Sequence, residues 1–590
     1  MKSLLDLINE EIKKVFEEFS DEDCFQGIVE SQRPELCDYQ INSCFKLSKL
    51  LQEKPLDIAN KVKDKIKDLK VHDKNIFTEV EVCAPAFVNL KLNSQLIDYW
   101  LFLIFENDSP LTYKVDKAKK IMLDYGGANV AKPLHIGHLR SAVIGEAIKR
   151  LVKIVGNEAK GDVHLGDYGL QMGLVIEQLI AENKEKDFTL KDLEEAYPKA
   201  SKKAKEVDEN GELKNKEFNE KAHLATKYLQ EEKEPYYSIW KRIMSLSVED
   251  LKRNYSSLNV YFDLWKGESD VDKYIASMLK NFEEKGYANY SDGALVIEVK
   301  EDSDKIEVPP LIVKKQDGSY LYGTTDLATL LEREKEYNPD EYIYIVDKRQ
   351  SLYLMQMFRA AKKTKIIPEE KILIHIGFGT MNGKDNTPFK TREGGVLRLE
   401  SLINETIDKA KEKLIANGFE DKEQLDDTAK KVAISSLKYG DLSNQAQKDY
   451  IFDIDRFLSF EGNTGPYILY TIVRINSIFN KLKEKDITCD ASSLLKKTPI
   501  SDDKAIQNIK LSLIKYDSIM KSAYDNLAPD ILCKYIYELS NVYNSFYHSY
   551  NIINEQNKDT QNYLVALSYM TRKILLEVID VLGIECPNKM

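Results

Sequence analysis

A chain of 590 residues is too long for one hydrophobic core and suits three or four domains. Its composition, 43% hydrophobic and 31% charged, is that of an ordinary soluble protein, and no apolar run approaches the roughly 18–20 residues that a membrane span needs. The net charge of −12 excludes a uniformly basic surface but not local basic stretches such as 61–70, while seven cysteines without a Cys-x-x-Cys pair argue against a zinc knuckle and fit a reducing cytoplasm.

Leu4, Leu5, Ile8, Ile12 and Val15 recur at helical spacing. The first residues turn acidic early and carry no apolar core or small-residue cleavage site, so no secretion signal is expected. Phe87 to Leu92 alternates as a strand does. Residues 1–112 therefore read as a small α/β domain, with 108–111 and 114–120 as connector. Lys120 to Tyr125 is a short strand candidate. Pro133 biases Lys132 toward an extended backbone, so a helix should begin after it and run from His138 to Val152. Residues 157–163 suggest another strand. A polar Lys- and Glu-rich segment from Ala181 reads as inserted helices, reaching to about residue 290. Strand-like runs return at 294–299, 311–313, 342–346 and 372–376. Strands separated by helices and split by an insertion predict an α/β class, a Rossmann-like doubly wound parallel sheet over 113–400. Beyond it the pattern is almost wholly helical, divided into a connector at 401–455 and a C-terminal domain at 456–590. The run Gly462-Asn-Thr-Gly-Pro466 is its strongest break.

The chemistry concentrates in residues 124–141, where a strand feeds a helix and His135-Ile-Gly-His138 sits at the junction. Spaced i, i+3, the two histidines would share a helix face beside free backbone N–H groups that attract anions. Gly137 has no side chain, so a flat base could lie against the backbone there.

The whole run resembles the class I aminoacyl-tRNA synthetases, in particular the arginyl-tRNA synthetase family. Asn129-Val-Ala-Lys-Pro-Leu-His-Ile-Gly-His-Leu-Arg-Ser141 is close to that family's motif. Further matches follow in the family's order: Gly166-Asp-Tyr-Gly-Leu-Gln171, Phe262-Asp-Leu-Trp-Lys-Gly-Glu-Ser269, Asp317 to Asp326, Asp347-Lys-Arg-Gln350, Phe378 to Asp385, Pro388-Phe-Lys-Thr-Arg392, Gly462 to Tyr467 and the closing Leu582 to Met590. The resemblance spans nearly the full length.

It implies a two-step reaction in which the arginine carboxylate attacks the α-phosphate of ATP, and the arginyl group then passes to the terminal ribose of the tRNA for arginine. It further implies His135, His138 and Lys132 as catalytic groups, with His135, Gly137, His138, Lys390, Thr391 and Arg392 around ATP. Mg²⁺ should travel with ATP, held largely by the phosphates, with no protein cage and no zinc. The family's second ATP loop usually reads Lys-Met-Ser-Lys-Ser; here Thr391 stands where the second lysine would fall, and Lys132 is the expected replacement. Tyr322 and Asp326 should meet the guanidinium, with Asp124 nearby; Asn129 and Gln350 should hold the amino-acid end. A site built on buried carboxylates can discriminate by roughly 10⁴-fold, so no editing domain is expected. Gly126-Gly-Ala128 departs from the family's usual Ser-x-Pro.

The C-terminal helices, read through the resemblance as an anticodon-binding domain, carry many aromatics. Most should be core, but splayed bases need stacking platforms, and Phe546, Tyr547 and Met590 are the expected tRNA-facing residues. Residues 1–112 resemble the family's additional N-terminal domain, where Tyr39, Gln40 and Asn42 are the candidates for the tRNA elbow. The chain is expected to act as a monomer with no membrane partner. Two rivals stand beside this reading. A cysteinyl enzyme would need a zinc site that the Cys and His spacing does not offer. An inert tRNA-binding paralogue would be expected to have lost the histidines or Asp326, and all are present.

Overall fold

The computed structural model describes residues 2–106, 113–209, 211–316, 318–385, 387, 397–496 and 498–590. They divide into two units, one formed by Met1–Lys114, Phe460–Ile579 and Cys586–Met590, the other by Val115–Ser459 and Asp580–Glu585. The N-terminal α/β segment and the C-terminal helices thus fall in one compact unit. No described helix is long and apolar enough to cross a membrane.

In the first unit, the apolar residues at helical spacing do form a helix, Leu4–Glu17, capped by the Ser3 side chain accepting from Asp6 N–H. A four-stranded antiparallel sheet follows, ordered Val29–Glu30, Tyr39–Ile41, Phe87–Leu92, Phe77–Cys83. Five long helices make the C-terminal part: Gly465–Glu484, Lys504–Ile514, Tyr516–Asp525, Pro529–Ser549 and Lys558–Val581. A buried polar knot joins the two halves of the unit. Lys510, fully buried, pairs with Asp98 at 2.9 Å, and Tyr563 donates its hydroxyl to the same carboxylate at 2.8 Å.

The second unit is built on four parallel strands, β1 (Lys120–Asp124), β2 (Glu158–Asp162), β3 (Glu341–Asp347) and β4 (Ile372–Phe378), in the order β4-β3-β1-β2. Helix α1 (Ile136–Ile154) crosses from β1 to β2. The chain then returns to the other side of β1 to lay down β3. The strand order therefore reverses between β1 and β3, and their C-terminal ends open the crevice where doubly wound sheets bind ligands. Between β2 and β3 lie the inserted helices Leu170–Ala181, Leu190–Lys205, Lys216–Gln230 and Tyr236–Ser257, then α2 (Glu268–Glu284) and α3 (Tyr322–Glu336). Helices α4 (Ser351–Lys363) and α5 (Leu425–Leu442) flank β4 in the chain.

Two strand-like runs assigned to the parallel sheet belong elsewhere. Ala294–Ile297 and Leu311–Lys314 pair antiparallel with each other, and Asn289–Ser291 adds the third strand. Leu295, Ile297 and Val313 are buried in a core shared with α2 and α3, so their apolar character reflects packing on helices. Hydrophobicity alone cannot separate these two fates.

Helix α1 is held at several points. Ser141 Oγ accepts from Gly126 N–H and donates to the Ile345 carbonyl, both at 2.8 Å. Arg140, 1% exposed, pairs with Asp441 on α5 at 3.2 Å and donates to the Gly379 carbonyl at 2.7 Å. Breaking one side of such a buried pair costs about 3–5 kcal/mol, because the other charge is left without compensation.

Candidate active site

The segment leaving β1 supplies one wall. Asp124 ends the strand, and Gly126 and Gly127 follow with φ of +94° and +54°, which turn the chain sharply toward α1. Asn129 then forms a bridge to Gly166, whose missing side chain matters: an added Cβ would lie 2.3 Å from Asn129 Oδ1. On the other side of Gly166, Leu165 pairs with Gly267 and donates to the Lys266 carbonyl at 2.8 Å. Three short segments around Asn129, Gly166 and Gly267 thus lie side by side above the sheet.

His135 is the N-cap of α1 and makes a reciprocal box with His138. Gly137 N–H donates to His135 Nδ1 and His135 N–H donates to His138 Nδ1, each at 3.1 Å. The ring centroids are 3.9 Å apart. Each Nδ1 is therefore an acceptor, which leaves Nε2 to carry the ring hydrogen. Burial, reinforced by the Lys132 ammonium, lowers His135 to about 4 and His138 to about 3, so both rings are neutral near pH 7. The result is two N–H donors at a helix N-terminus. An added Cβ on Gly137 would lie 2.9 Å from the His135 ring, so glycine there protects the box. Ile136 N–H donates to the Leu397 carbonyl at 3.1 Å, and Leu399 N–H to the Leu134 carbonyl at 3.0 Å. The backbone that follows residue 396 is therefore anchored beside the histidines. Lys390, Thr391 and Arg392 lie outside the described residues. Lys132 is partly buried, its Nζ 5.8 Å from the Tyr197 ring centroid.

The starts of α2 and α3 bring acidic residues together. Asp326 on α3 accepts from the Tyr353 hydroxyl, and burial raises its pKa despite that bond. Glu268, the first residue of α2, is raised to about 7, chiefly by burial, with Asp167 and Asp326 adding to the rise. Tyr322, 67% exposed, opens α3 in the field of Glu268 and Asp326. Asp167 sets the start of α2: Ser269 N–H and Oγ donate to its two oxygens at 3.1 and 2.6 Å. Asp124 lies near Asp326, as expected, and adds to the rise of that carboxyl's pKa. It and Asp162 both pair with the buried Arg333 at 2.7 Å, so its charge already has a partner within the fold. Gln350 is exposed at the end of a short 3-10 turn, Lys348–Gln350, directly after β3.

Sequence reasoning did not single out Glu268, His164, Arg333 or Tyr353. Glu268 was within reach, since it sits inside the matched run 262–269. The other three acquire their meaning from which elements pack together.

The candidates for tRNA divide by exposure. Tyr39 and Phe546 are 4% and 0% exposed. Both pack in the core, where the ring is not open to a base. Gln40 is half-buried and donates to Asn89 at 2.8 Å, while Asn42 is exposed. Tyr547 is partly exposed, with the Arg474 guanidinium 5.1 Å from its ring centroid, and Met590 is partly exposed. Among the described residues, no group of three or more His, Cys, Asp or Glu side chains is arranged to hold a metal.

Comparison with known proteins agrees with this geometry. The model for class I tRNA synthetases (R), catalytic domain, matches residues 102–454; that for the DALR anticodon binding domain matches 468–590; and that for the arginyl tRNA synthetase N terminal domain matches 2–92. An arginine–tRNA ligase of Agathobacter rectalis is 46% identical over 100% of both chains, and one of Alkaliphilus oremlandii 41% identical over the same share. Among solved structures, arginyl-tRNA synthetase from Plasmodium falciparum superposes with a TM-score of 0.80 at 23% identity, and that of Thermus thermophilus with 0.78 at 20%, each covering 100% of both chains. The structures share the fold, and the full-length identity to the ligases settles the lineage: the chain belongs to the arginyl-tRNA synthetase family of class I.

Proposed function

We propose that the crevice above β1 and β3 activates L-arginine with ATP and transfers it to the tRNA for arginine, with the histidine wall facing phosphate and the acidic wall facing guanidinium. The observation that carries the reading is the pairing of opposite chemistries across one switch point. Two neutral N–H donors stand at a helix N-terminus, and a desolvated acidic cluster stands across from them.

The chain's own groups take these parts. Asp326, Glu268 and the Tyr322 hydroxyl receive the five-donor guanidinium. Asn129 and Gln350 hold the amino-acid end, so that the carboxylate meets the α-phosphorus of ATP. As that oxygen attacks and pyrophosphate leaves, negative charge grows on the phosphate oxygens. The Nε2–H groups of His135 and His138 are preorganised to stabilise it, and one such donor is worth about 10²–10³ in rate. Lys132 adds a fixed cation beside them, in the role that Thr391 cannot fill. In the second step a hydroxyl of the terminal tRNA ribose attacks the arginyl carbonyl and AMP departs. Gln40, Asn42, Tyr547 and Met590, with the buried Tyr39 and Phe546 beside them in sequence, are the candidates for tRNA contact. Mg²⁺ would neutralise phosphate charge in company with ATP; no residue is assigned to it, because the described donor set offers no cage. Seven free cysteines fit a reducing compartment, and we place the chain in the cytoplasm, acting as a monomer.

The test is arginine-dependent ATP–pyrophosphate exchange, with and without tRNA. Exchange with arginine and tRNA is expected. Exchange with cysteine instead, or tRNA binding without exchange, would overturn the reading.

A further inference from the structure

His164 lies just past the end of β2 on a left-handed backbone, φ +37°, a conformation in which most side chains are strained. Strained backbone persists where the surrounding structure holds it, and often at a working site. The ring's Nε2 lies 3.4 Å from Thr329 Oγ1 on α3. That hydroxyl has a single hydrogen, and it goes to the Thr325 carbonyl at 2.9 Å. Thr329 can therefore only accept from the imidazole, so Nε2 carries a hydrogen, and in the neutral ring Nδ1 presents a bare lone pair. That Nδ1 is buried and has no hydrogen-bond partner among the described residues. The charged groups in whose field it sits are Asp162 on β2, Asp167 beyond it, Glu268 on α2 and Asp326 on α3. None of the four donates to that nitrogen among the described residues, and in the ionised form that receives a cation all four are acceptors. A buried acceptor without a donor is costly and calls for a partner.

We propose that His164 is a specificity-determining residue of the amino-acid pocket, its Nδ1 accepting a hydrogen bond from a guanidinium N–H of bound arginine. This rests on the reading above. A guanidinium offers only donors, so it satisfies the lone pair and the carboxylates together. A neutral ureido side chain places an oxygen where one of those nitrogens would be and sets lone pair against lone pair. An ammonium, with three donors on one atom, reaches fewer of the spread acceptors. His164 thus sorts ligands by donor pattern, where Asp326 and Glu268 sort them by charge.

The test compares His164→Asn and His164→Gly in arginylation of tRNA. Asparagine places an amide oxygen close to the Nδ1 position, and both residues tolerate the left-handed backbone. The glycine variant should raise the arginine KM by roughly ten- to a hundredfold, the loss of one hydrogen bond to a charged group, with the ATP KM within about twofold of wild type. Asparagine should restore the arginine KM to within about threefold. An unchanged arginine KM in the glycine variant, or an asparagine variant as impaired as glycine, overturns the proposal. A measurement on the wild-type chain guards against misfolding. With ¹⁵N-labelled histidine, the Nδ1 resonance of His164, assigned by its loss in His164→Asn, should shift when arginine is added and stay when ATP is added. An Nδ1 signal that ignores arginine overturns the proposal equally. If the wild type fails to charge arginine at all, the proposed function falls; normal charging with an indifferent His164 sinks this inference alone.

Discussion

The phosphate end and the guanidinium end of the crevice both shift their titratable groups toward the neutral form, and burial is the largest cause at each. At the phosphate end the neutrality is built in. Each histidine spends Nδ1 on a backbone N–H of the capping box, so the fold itself holds the rings as neutral donors. At the guanidinium end no cation pairs directly with Asp326 or Glu268 among the hydrogen bonds and ion pairs described; on the proposed function the substrate supplies it. One wall is finished by the fold and the other is completed by the ligand. The acidic wall should therefore be the more sensitive to side-chain charge and to pH.

The sharpest way to break this contrast is Asp326→Asn. The amide keeps the shape and the Tyr353 contact but removes the charge that the guanidinium meets. Losing one member of a desolvated charge pair costs about 3–5 kcal/mol, so arginine kcat/KM should fall on the order of a thousandfold. Steady-state charging kinetics with varied arginine would check it. A loss below about tenfold would mean that Asp326 is a structural partner of Tyr353 and that the guanidinium sits elsewhere.

The phosphate end has its own test, in which the cap is spared and only the donor removed. In His138→Asn an amide oxygen can still accept from His135 N–H, so the box survives while the Nε2–H is lost. Exchange should slow by about 10²–10³ with little change in arginine binding. A variant whose rate stays near wild type would reduce the histidines to helix caps. Lys132→Ala should be milder, lowering the activation rate by roughly ten- to a hundredfold while arginine affinity holds. Calorimetric titration with arginine beside single-turnover activation separates the two. An activation rate near wild type would show that another cation takes the place left by Thr391.

Much of this was legible in the sequence, for identifiable reasons. That a helix begins just after Pro133 follows from that proline and the apolar helical run behind it, a local signal; that His135 stands outside the helix as its N-cap did not. The strands Lys120–Asp124, Glu341–Asp347 and Ile372–Phe378 announce themselves because parallel strands are apolar on both faces. Ala294–Ile297 has the same local signature, but its partners are antiparallel strands of a separate small sheet. That Asp124 also pairs with Arg333 was not legible, because nothing local reveals a partner 209 residues away in the chain. Phe546 and Tyr39 belong to amphipathic elements, and period alone does not say which aromatic of such an element turns inward. His164 was invisible for the same reason: its importance lies in the hydroxyl of Thr329, which spends its hydrogen on α3.

The smallest effect expected is on pH, and it sets the two walls against each other in a single experiment. Burial holds the Glu268 carboxyl near 7, and Asp326 is raised as well, so below pH 7 the acidic wall takes up protons. Arginine binds the ionised form, and that bound proton must leave first. Arginine KM should therefore be flat above about pH 7.5 and rise as the pH falls, approaching tenfold per unit for a single proton. The histidines sit at about 4 and about 3, so between pH 6 and 8 they do not change charge. ATP KM should stay level over the same range. Profiles measured together for the two substrates decide it. An arginine KM that stays constant from pH 8 to 6 would mean that the acidic wall is ionised in the empty enzyme. An ATP KM that climbs in parallel would place the titrating group on something both substrates share. Glu268→Gln should bind arginine more weakly above about pH 7, converge with wild type as the pH falls, and lose most of the slope, because the proton it removes from the cycle is the one that competes with the substrate.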